Sequence, residues 1–156
     1  MKRGNEVVGF DSVNDYYDLN IKEACLKIFE ETAKRSKSGC TFIRGDFANQ
    51  TLVRQCFEQH SFDRVIHLAA QASMRYSLEN PHSYVESNIV AFTNVLEACC
   101  CSETAHLTYG SNSSVHGANT KTPFSEDEAA DHPLQFYAAT KKANEMMAIT
   151  IVICSS

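Results

Sequence analysis

The sequence has few glycines, and no two of them stand close together. The six are Gly4, Gly9, Gly39, Gly45, Gly110 and Gly117. A loop that holds the pyrophosphate of a dinucleotide normally needs closely spaced glycines between a strand and a helix. The printed sequence therefore contains no glycine-rich phosphate loop.

The chain also lacks an excess of basic residues and a long apolar run. It has 14 Lys and Arg against 19 Asp and Glu, a net charge of −5. A nucleic-acid or anionic membrane surface would require a basic patch. The longest apolar stretch, Met146 to Cys154, has nine residues, whereas a membrane-spanning helix needs about 20. We therefore expect no nucleic-acid partner and no membrane anchor.

Paired cysteine motifs are missing although the chain has seven cysteines. No Cys-x-x-Cys occurs and the count is odd, which argues against a disulfide scaffold. Cys99, Cys100 and Cys101 are adjacent, and on a helix their side chains diverge too far to form one tetrahedral metal site. No signal peptide is recognisable, so we expect free thiols, no metal and a cytoplasmic location.

Four short apolar segments alternate with helical patterns, which indicates β-α-β units and a parallel sheet in an α/β fold. The predicted strands are Val7 to Phe10, Thr41 to Ile43, Val65 to Leu68 and His106 to Tyr109. Ile21, Cys25, Ile28 and Thr32 have the spacing of a first helix, and Leu52, Val53, Cys56 and Phe57 that of a second.

A longer helix is predicted to begin at Asn80-Pro81, because asparagine caps free amides and proline fits the first helical turn. Apolar residues then recur at helical spacing to about Cys100, which predicts a core face. They are Val85, Ile89, Phe92, Leu96 and Cys99. Residues 112–135 contain two prolines and an acidic cluster, so we predict loop and turn there.

The most informative pattern is Tyr137-Ala-Ala-Thr-Lys141. Four-residue spacing places the phenol and the ammonium on one helix face, one turn apart, where the positive charge favours the phenolate. The pair is suited to proton transfer, although a solvated helix face has the same spacing. Upstream, Thr108 to Gly117 is an apolar segment followed by small hydroxyl residues and a glycine, which predicts a strand and an active-site loop.

Together with Arg75 to Pro81, Pro123 to Asp127 and Lys141 to Glu145, these motifs resemble the extended short-chain dehydrogenase/reductase family, and within it the UDP-glucuronate 4-epimerases. The similarity covers about Arg3 to Met147. It implies an incomplete Rossmann-like, doubly wound parallel sheet that lacks the first strand, the glycine-rich loop and the first helix. We expect a partial NAD-binding domain over residues 1–147 and a divergent apolar tail over 148–156, whose Ile149 to Ile153 run favours β-structure.

The resemblance implies NAD as cofactor, with Asp11 on the adenosine ribose. The other implied cofactor residues are Asp46, Phe47, Leu68, Ala69, Ala70, Asn88, Ser111, Tyr137 and Lys141. Without the resemblance, these positions also fit turns, buried strand and ordinary helix surface.

The implied reaction oxidises and re-reduces C4 of a UDP-sugar, with Tyr137 as the base and Lys141 as the residue that favours its phenolate. Asn112 occupies the position where the family has a serine or threonine, and an amide cannot relay a proton as a hydroxyl can. Ser113 is the neighbouring hydroxyl. Arg75 and Ser77 match the substrate loop, and residues 81–100 and 136–147 match the helices of a homodimer.

Two other functions stay open. The chain could be a noncatalytic remnant that docks on an intact homologue, since Asn112 and the absent glycine loop both weaken the catalytic interpretation. It could also be another nucleotide-sugar epimerase or a dehydratase, because the hydride chemistry is shared. Even as an epimerase, the isolated chain is expected to be weak or inactive.

Overall fold

The computed structural model describes residues 5–35, 39–117 and 133–154, with side chains to residue 151. The chain divides into two compact units, residues 1–46 and 47–156. In each unit the described strands form one parallel pair, and the two pairs are separate two-stranded sheets. The α/β class and the parallel arrangement predicted from sequence are confirmed.

The first unit is a β-α-β motif. Strand β1 (Val7–Asp11) and strand β2 (Cys40–Arg44) are joined by helix α1 (Leu19–Arg35) and pair in parallel from Val7↔Cys40 to Asp11↔Arg44. Phe29 of α1 packs edge-on to Phe42, with ring centroids 6.1 Å apart. A Cβ at Gly9 would lie 3.2 Å from the Phe42 ring, so glycine permits this close contact between neighbouring strands.

Helix α1 occurs where it was predicted, but its apolar stripe faces outward. Ile21 and Ile28 are each 64% exposed, and Cys25 and Thr32 are exposed as well. The half-buried positions are Lys22, Leu26, Phe29 and Ala33. The packing of Phe29 on the strands therefore rotates the inner face by one residue from the face that the apolar spacing indicated.

In the second unit, helix α2 (Gln50–Gln59) begins at Asn49, whose Oδ1 accepts a hydrogen bond from the Leu52 amide at 3.1 Å. Strand β3 (Arg64–His67) pairs in parallel with β4 (His106–Tyr109), from Arg64↔His106 to His67↔Tyr109. All four predicted strands are confirmed, with β3 ending one residue earlier than expected.

A long helical segment lies between β3 and β4. After the short helix α3 (Tyr76–Glu79), it consists of α4 (Pro81–Tyr84), a π-helical segment (Val85–Val90) and α5 (Ala91–Cys101). As predicted, Asn80 caps its start: the side chain accepts from the Ser83 amide, and Pro81 occupies the first turn.

The predicted core stripe of this segment is only partly correct. Phe92, Leu96 and Cys99 are buried, whereas Val85 is 37% exposed. The buried positions are instead Tyr84, just before the π segment, and Asn88, within it. A π-helix has wider turns than an α-helix, so it shifts the inner face by about one residue.

The β3–β4 sheet of the second unit is covered on one face. His67 and Tyr109 contact Phe92 of α5, with ring centroids 5.5 Å and 5.1 Å apart. On the other face, Ile66 is 70% exposed and Leu68 is 72% exposed. Because side chains alternate along a strand, these two residues form an exposed apolar surface.

The last helix, α6 (Phe136–Cys154), continues through the predicted boundary at residue 148. The run Ile149 to Ile153 is therefore helical and not β-structured, since it extends a helix that is already formed. No described helix is long and apolar enough to cross a membrane. Within the predicted loop at 112–135, residues 118–132, including Pro123 to Asp127, lie outside the described residues.

Candidate active site

Helix α6 carries Tyr137 and Lys141 on one face, one turn apart. Between them, Ala138 is 1% exposed and lets the helix pack closely. Tyr137 is 9% exposed, and its ring lies edge-on to Tyr84, with centroids 6.1 Å apart. The predicted pair is therefore part of the packed interior and does not lie on a solvated helix face.

Lys141 is 5% exposed. Its Nζ donates a hydrogen bond to the carbonyl oxygen of Gly110 at 3.0 Å. Burial disfavours the charged form and lowers the pKa of Lys141 below its usual range. An ammonium has three donors, and within the described part of the chain the structure gives it one acceptor. A ligand with hydroxyl oxygens would satisfy the remaining donors.

His67, at the end of β3, was not predicted as a site residue. Its ring is 5.2 Å from that of Phe47 and 5.5 Å from that of Phe92. Burial, with a smaller contribution from the charge of Lys141, lowers the pKa of His67 to about 4. The imidazole is therefore neutral at physiological pH. The only sequence signal for this buried, neutral histidine was its place at the end of an apolar strand.

Asn88 joins the loop after β3 to α6. Its Oδ1 accepts from the Gln71 amide at 2.8 Å, and its Nδ2 donates to Gln71 O at 3.1 Å and to Thr140 Oγ1 at 3.0 Å. The residue is 1% exposed. The sequence suggested a cofactor contact for Asn88, and its described hydrogen bonds hold the loop after β3 against α6.

Gln71 lies in this loop with its side-chain Nε2 buried and without a hydrogen bond among the described residues. The loop is also held at Ala72, whose carbonyl accepts from the Tyr84 hydroxyl at 2.7 Å. Ala69 and Ala70, which precede Gln71, are half-buried, and Leu68 is exposed. The small residues therefore follow β3 as predicted.

The loop after β4 contains the predicted hydroxyl position. Asn112 Oδ1 accepts a hydrogen bond from the Ser114 amide at 2.8 Å and caps a 3₁₀ turn (Ser113–His116). Ser113 is exposed. The Ser111 hydroxyl donates to Glu145 Oε1 of α6 at 2.5 Å. Both Gly110 and Ser111 are thus bonded to α6.

The predicted substrate loop is only partly available to a ligand. Arg75 is exposed, at the start of α3. Ser77 is fully buried, and its hydroxyl donates to Met74 O at 2.6 Å. Ser77 therefore fixes the loop, and Arg75 is the exposed residue of the two.

Two of the predicted cofactor residues lie in the first unit. Asp11 ends β1, and its Oδ1 accepts from the Val13 amide at 2.6 Å. Asp46 follows β2 and is exposed. Asp11 lies at, and Asp46 just after, the carboxyl end of a parallel strand, which is where ligands bind in open α/β sheets.

Known proteins match this chain along most of its length. The family described as GDP-mannose 4,6 dehydratase matches residues 1–152. UDP-glucuronate 4-epimerase 4 from Arabidopsis thaliana is 46% identical over 150 residues, which are 96% of this chain and 33% of that protein. The chain therefore spans about a third of this relative.

Solved structures share the fold. The UDP-Glc/GlcNAc 4-epimerase of Campylobacter jejuni superposes with a TM-score of 0.81 at 22% identity, over 96% of this chain and 42% of that one. UDP-glucose 4-epimerase from Brucella ovis, in complex with NAD, gives 0.78 at 24% identity, over 97% and 42%. The chain belongs to the extended short-chain dehydrogenase/reductase family of epimerases and dehydratases.

Proposed function

We propose that this chain provides the proton-transfer half of an NAD-dependent nucleotide-sugar 4-epimerase, with UDP-glucuronate as substrate. The observation that carries the proposal is the buried pair of Tyr137 and Lys141 on one face of α6, with Lys141 bonded to Gly110 O at 3.0 Å. The 46% identity to a UDP-glucuronate 4-epimerase supports this substrate.

The residues present fit NAD in part. Taken separately, the second unit has the buried Lys141 ammonium, whose donors suit ribose hydroxyls, and the first unit has the Asp11 carboxylate at the carboxyl end of β1. Asp46 and Phe47 would border the adenine, and Leu68 to Ala70 would line the approach to the cofactor. The glycine-rich loop for the pyrophosphate is not in the printed sequence. When bound, NAD would supply the hydride acceptor and donor.

The protein's own part in this reaction is to bind, orient and move a proton. Tyr137 would accept the proton of the sugar 4-hydroxyl and later return it. The Lys141 ammonium favours the phenolate through its charge. Asn112 can donate a hydrogen bond to the sugar but cannot pass a proton onward, which leaves Ser113 as the neighbouring hydroxyl. Arg75 would meet an acidic group of the substrate.

We further propose that two copies associate through the 81–100 and 136–147 helices. Exposed apolar side chains occur on both: Val85 is 37% exposed, Val90 41% and Met146 53%. The two helices are neighbours, since Thr93 Oγ1 lies 3.7 Å from Met147 Sδ. Met146→Glu should shift the molar mass in light scattering from dimer to monomer, and an unchanged mass would exclude this surface.

The free thiols of the described cysteines support a cytoplasmic location.

A second candidate is a noncatalytic module that docks on an intact homologue. The position of Asn112 favours it, because the side-chain carbonyl caps a turn and no hydroxyl stands in its place. A third candidate is another epimerase or a dehydratase, which the family match to residues 1–152 supports. The third candidate differs from the proposed function in the substrate that is converted. The second differs in that mutation of Tyr137 would cause no loss of activity.

The test joins this chain to the segments of the Arabidopsis relative that it does not span and supplies NAD and UDP-glucuronate. Tyr137→Phe keeps the ring that packs on Tyr84 and removes only the hydroxyl, so we expect at least a 100-fold loss of epimerisation. Tyr109→Phe, which removes the hydroxyl of a half-buried tyrosine, is the matched control. Equal activity of Tyr137→Phe and its parent would refute the proposal, and a dehydrated product would favour the third candidate.

A further inference from the structure

Glu145 lies one helical turn after Lys141, on the face of α6 that carries Tyr137. Its Oε1 accepts from Ser111 Oγ at 2.5 Å, and its Oε2 lies 3.3 Å from Lys142 Nζ. The Glu145 side chain is 26% exposed. The proposed proton transfer does not use this carboxylate.

The loop after β4 is held on both sides of Ser111. The Gly110 amide donates to His67 O at 3.1 Å, and the Gly110 carbonyl accepts from Lys141 Nζ at 3.0 Å. Beyond Ser111, the Asn112 carbonyl and Oδ1 accept from the amides of the 3₁₀ turn, at 3.2 Å and 2.8 Å. Ser111 stands between these two fixed points, and its hydroxyl bonds to Glu145.

We propose that Glu145 is a positioning residue that holds Asn112 and Ser113 against α6 through Ser111. The side chains of Asn112 and Ser113 then keep a fixed place relative to Tyr137. Their relevance to substrate rests on the proposed function, whereas the bond between Ser111 and Glu145 does not. Hydrogen bonds from a hydroxyl to a carboxylate are among the short and strong ones.

The alternative is that Glu145 serves only as the partner of Lys142 in a surface ion pair. Such (i, i+3) pairs on helices contribute little to stability. The two interactions use different oxygen atoms of the Glu145 carboxylate, because Ser111 bonds to Oε1 and Lys142 to Oε2. Removing Lys142 therefore leaves the Ser111 bond in place.

The experiment measures amide hydrogen exchange on the full chain, without NAD or sugar. The reporters are the Ser114 and Val115 amides, which donate to Asn112, and the Gly110 amide is the internal reference. Glu145→Ala should speed exchange of the reporters about tenfold and leave the reference unchanged. Glu145→Gln keeps an oxygen acceptor and should restore most of the protection, and Lys142→Met should change nothing.

A double-mutant cycle tests the pair directly. Ser111→Ala alone, and combined with Glu145→Ala, should each speed reporter exchange by the same factor of about ten. Multiplied effects of about one hundred, faster exchange of Gly110 as well, or an equal effect of Lys142→Met would each overturn the proposal.

The same variants in the active joined protein should lower kcat for UDP-glucuronate without raising KM, with rescue by Glu145→Gln. Positioning of a catalytic segment acts on the reacting geometry and not on binding. If exchange responds as expected and no epimerisation occurs in any version, the proposed function fails while the positioning role stands. If epimerisation occurs and neither kcat nor exchange responds, the positioning role fails alone.

Discussion

Asn88 Nδ2 donates a hydrogen bond to Thr140 Oγ1 at 3.0 Å and thereby joins the π segment to the turn of α6 between Tyr137 and Lys141. Thr140 Oγ1 in turn donates to the Tyr137 carbonyl at 2.7 Å. A buried polar network, and not apolar packing alone, therefore sets the position of α6. Such networks are costly to break because they leave buried groups unpaired.

The first prediction concerns this network. Asn88→Ala leaves the Gln71 backbone groups and Thr140 without their partner, so the free energy of unfolding should fall by about 3 kcal/mol. Thr93→Val, at an exposed position of α5, is the control and should change it by less than about 0.5 kcal/mol. Urea unfolding gives both values. Similar stability of the two variants would mean that the network contributes little.

The second prediction concerns pH. Burial lowers the pKa of His67 to about 4, so between pH 4 and 6.5 the unfolded chain binds more protons than the folded one. The contribution of the neutral His67 imidazole to the free energy of unfolding is complete above pH 6.5. It is lost as the pH falls toward 4, by about 3 kcal/mol. His67→Gln should flatten the dependence of unfolding free energy on pH over this range. An identical slope for His67→Gln and the parent protein would contradict the assigned burial effect.

The third prediction concerns the exposed apolar surface of β3. Ile66 is 70% exposed, so Ile66→Thr should change the unfolding free energy by less than about 0.5 kcal/mol and raise solubility. Val65→Thr, on the half-buried face of the same strand, should cost about 1 kcal/mol. If Ile66→Thr destabilises more than Val65→Thr, another part of the protein covers that face.

The fourth prediction concerns NAD. Without closely spaced glycines, the backbone amides that normally bind the pyrophosphate are missing. We therefore expect this chain to bind NAD with a dissociation constant above the micromolar range. Lys141→Met should weaken the residual binding further. Calorimetric titration measures both, and micromolar or tighter affinity would show that other residues replace the glycine loop.

Local patterns predicted the secondary structure well, because strands such as His106–Tyr109 and the Asn80-Pro81 helix start depend on short stretches of sequence. The Tyr137–Lys141 pair followed from helix periodicity. The outward face of Ile21 and the π segment around Asn88 were not predictable, since packing of Phe29 and a one-residue helix register shift determine them. The hydrogen bonds that Asn88 and Glu145 make across the fold also required three-dimensional positions.

In our proposal, Tyr137 and Lys141 form the proton-transfer pair of a nucleotide-sugar epimerase in which Asn112 replaces a hydroxyl. Product analysis of UDP-glucuronate incubated with NAD and the joined protein tests it most directly. Asn112→Ser should raise epimerisation about 10- to 1000-fold over the parent, the range of a positioned proton-transfer group. Adding Tyr137→Phe should abolish the gain. An unchanged rate on Asn112→Ser, or a gain that survives Tyr137→Phe, would refute these roles of Asn112 and Tyr137.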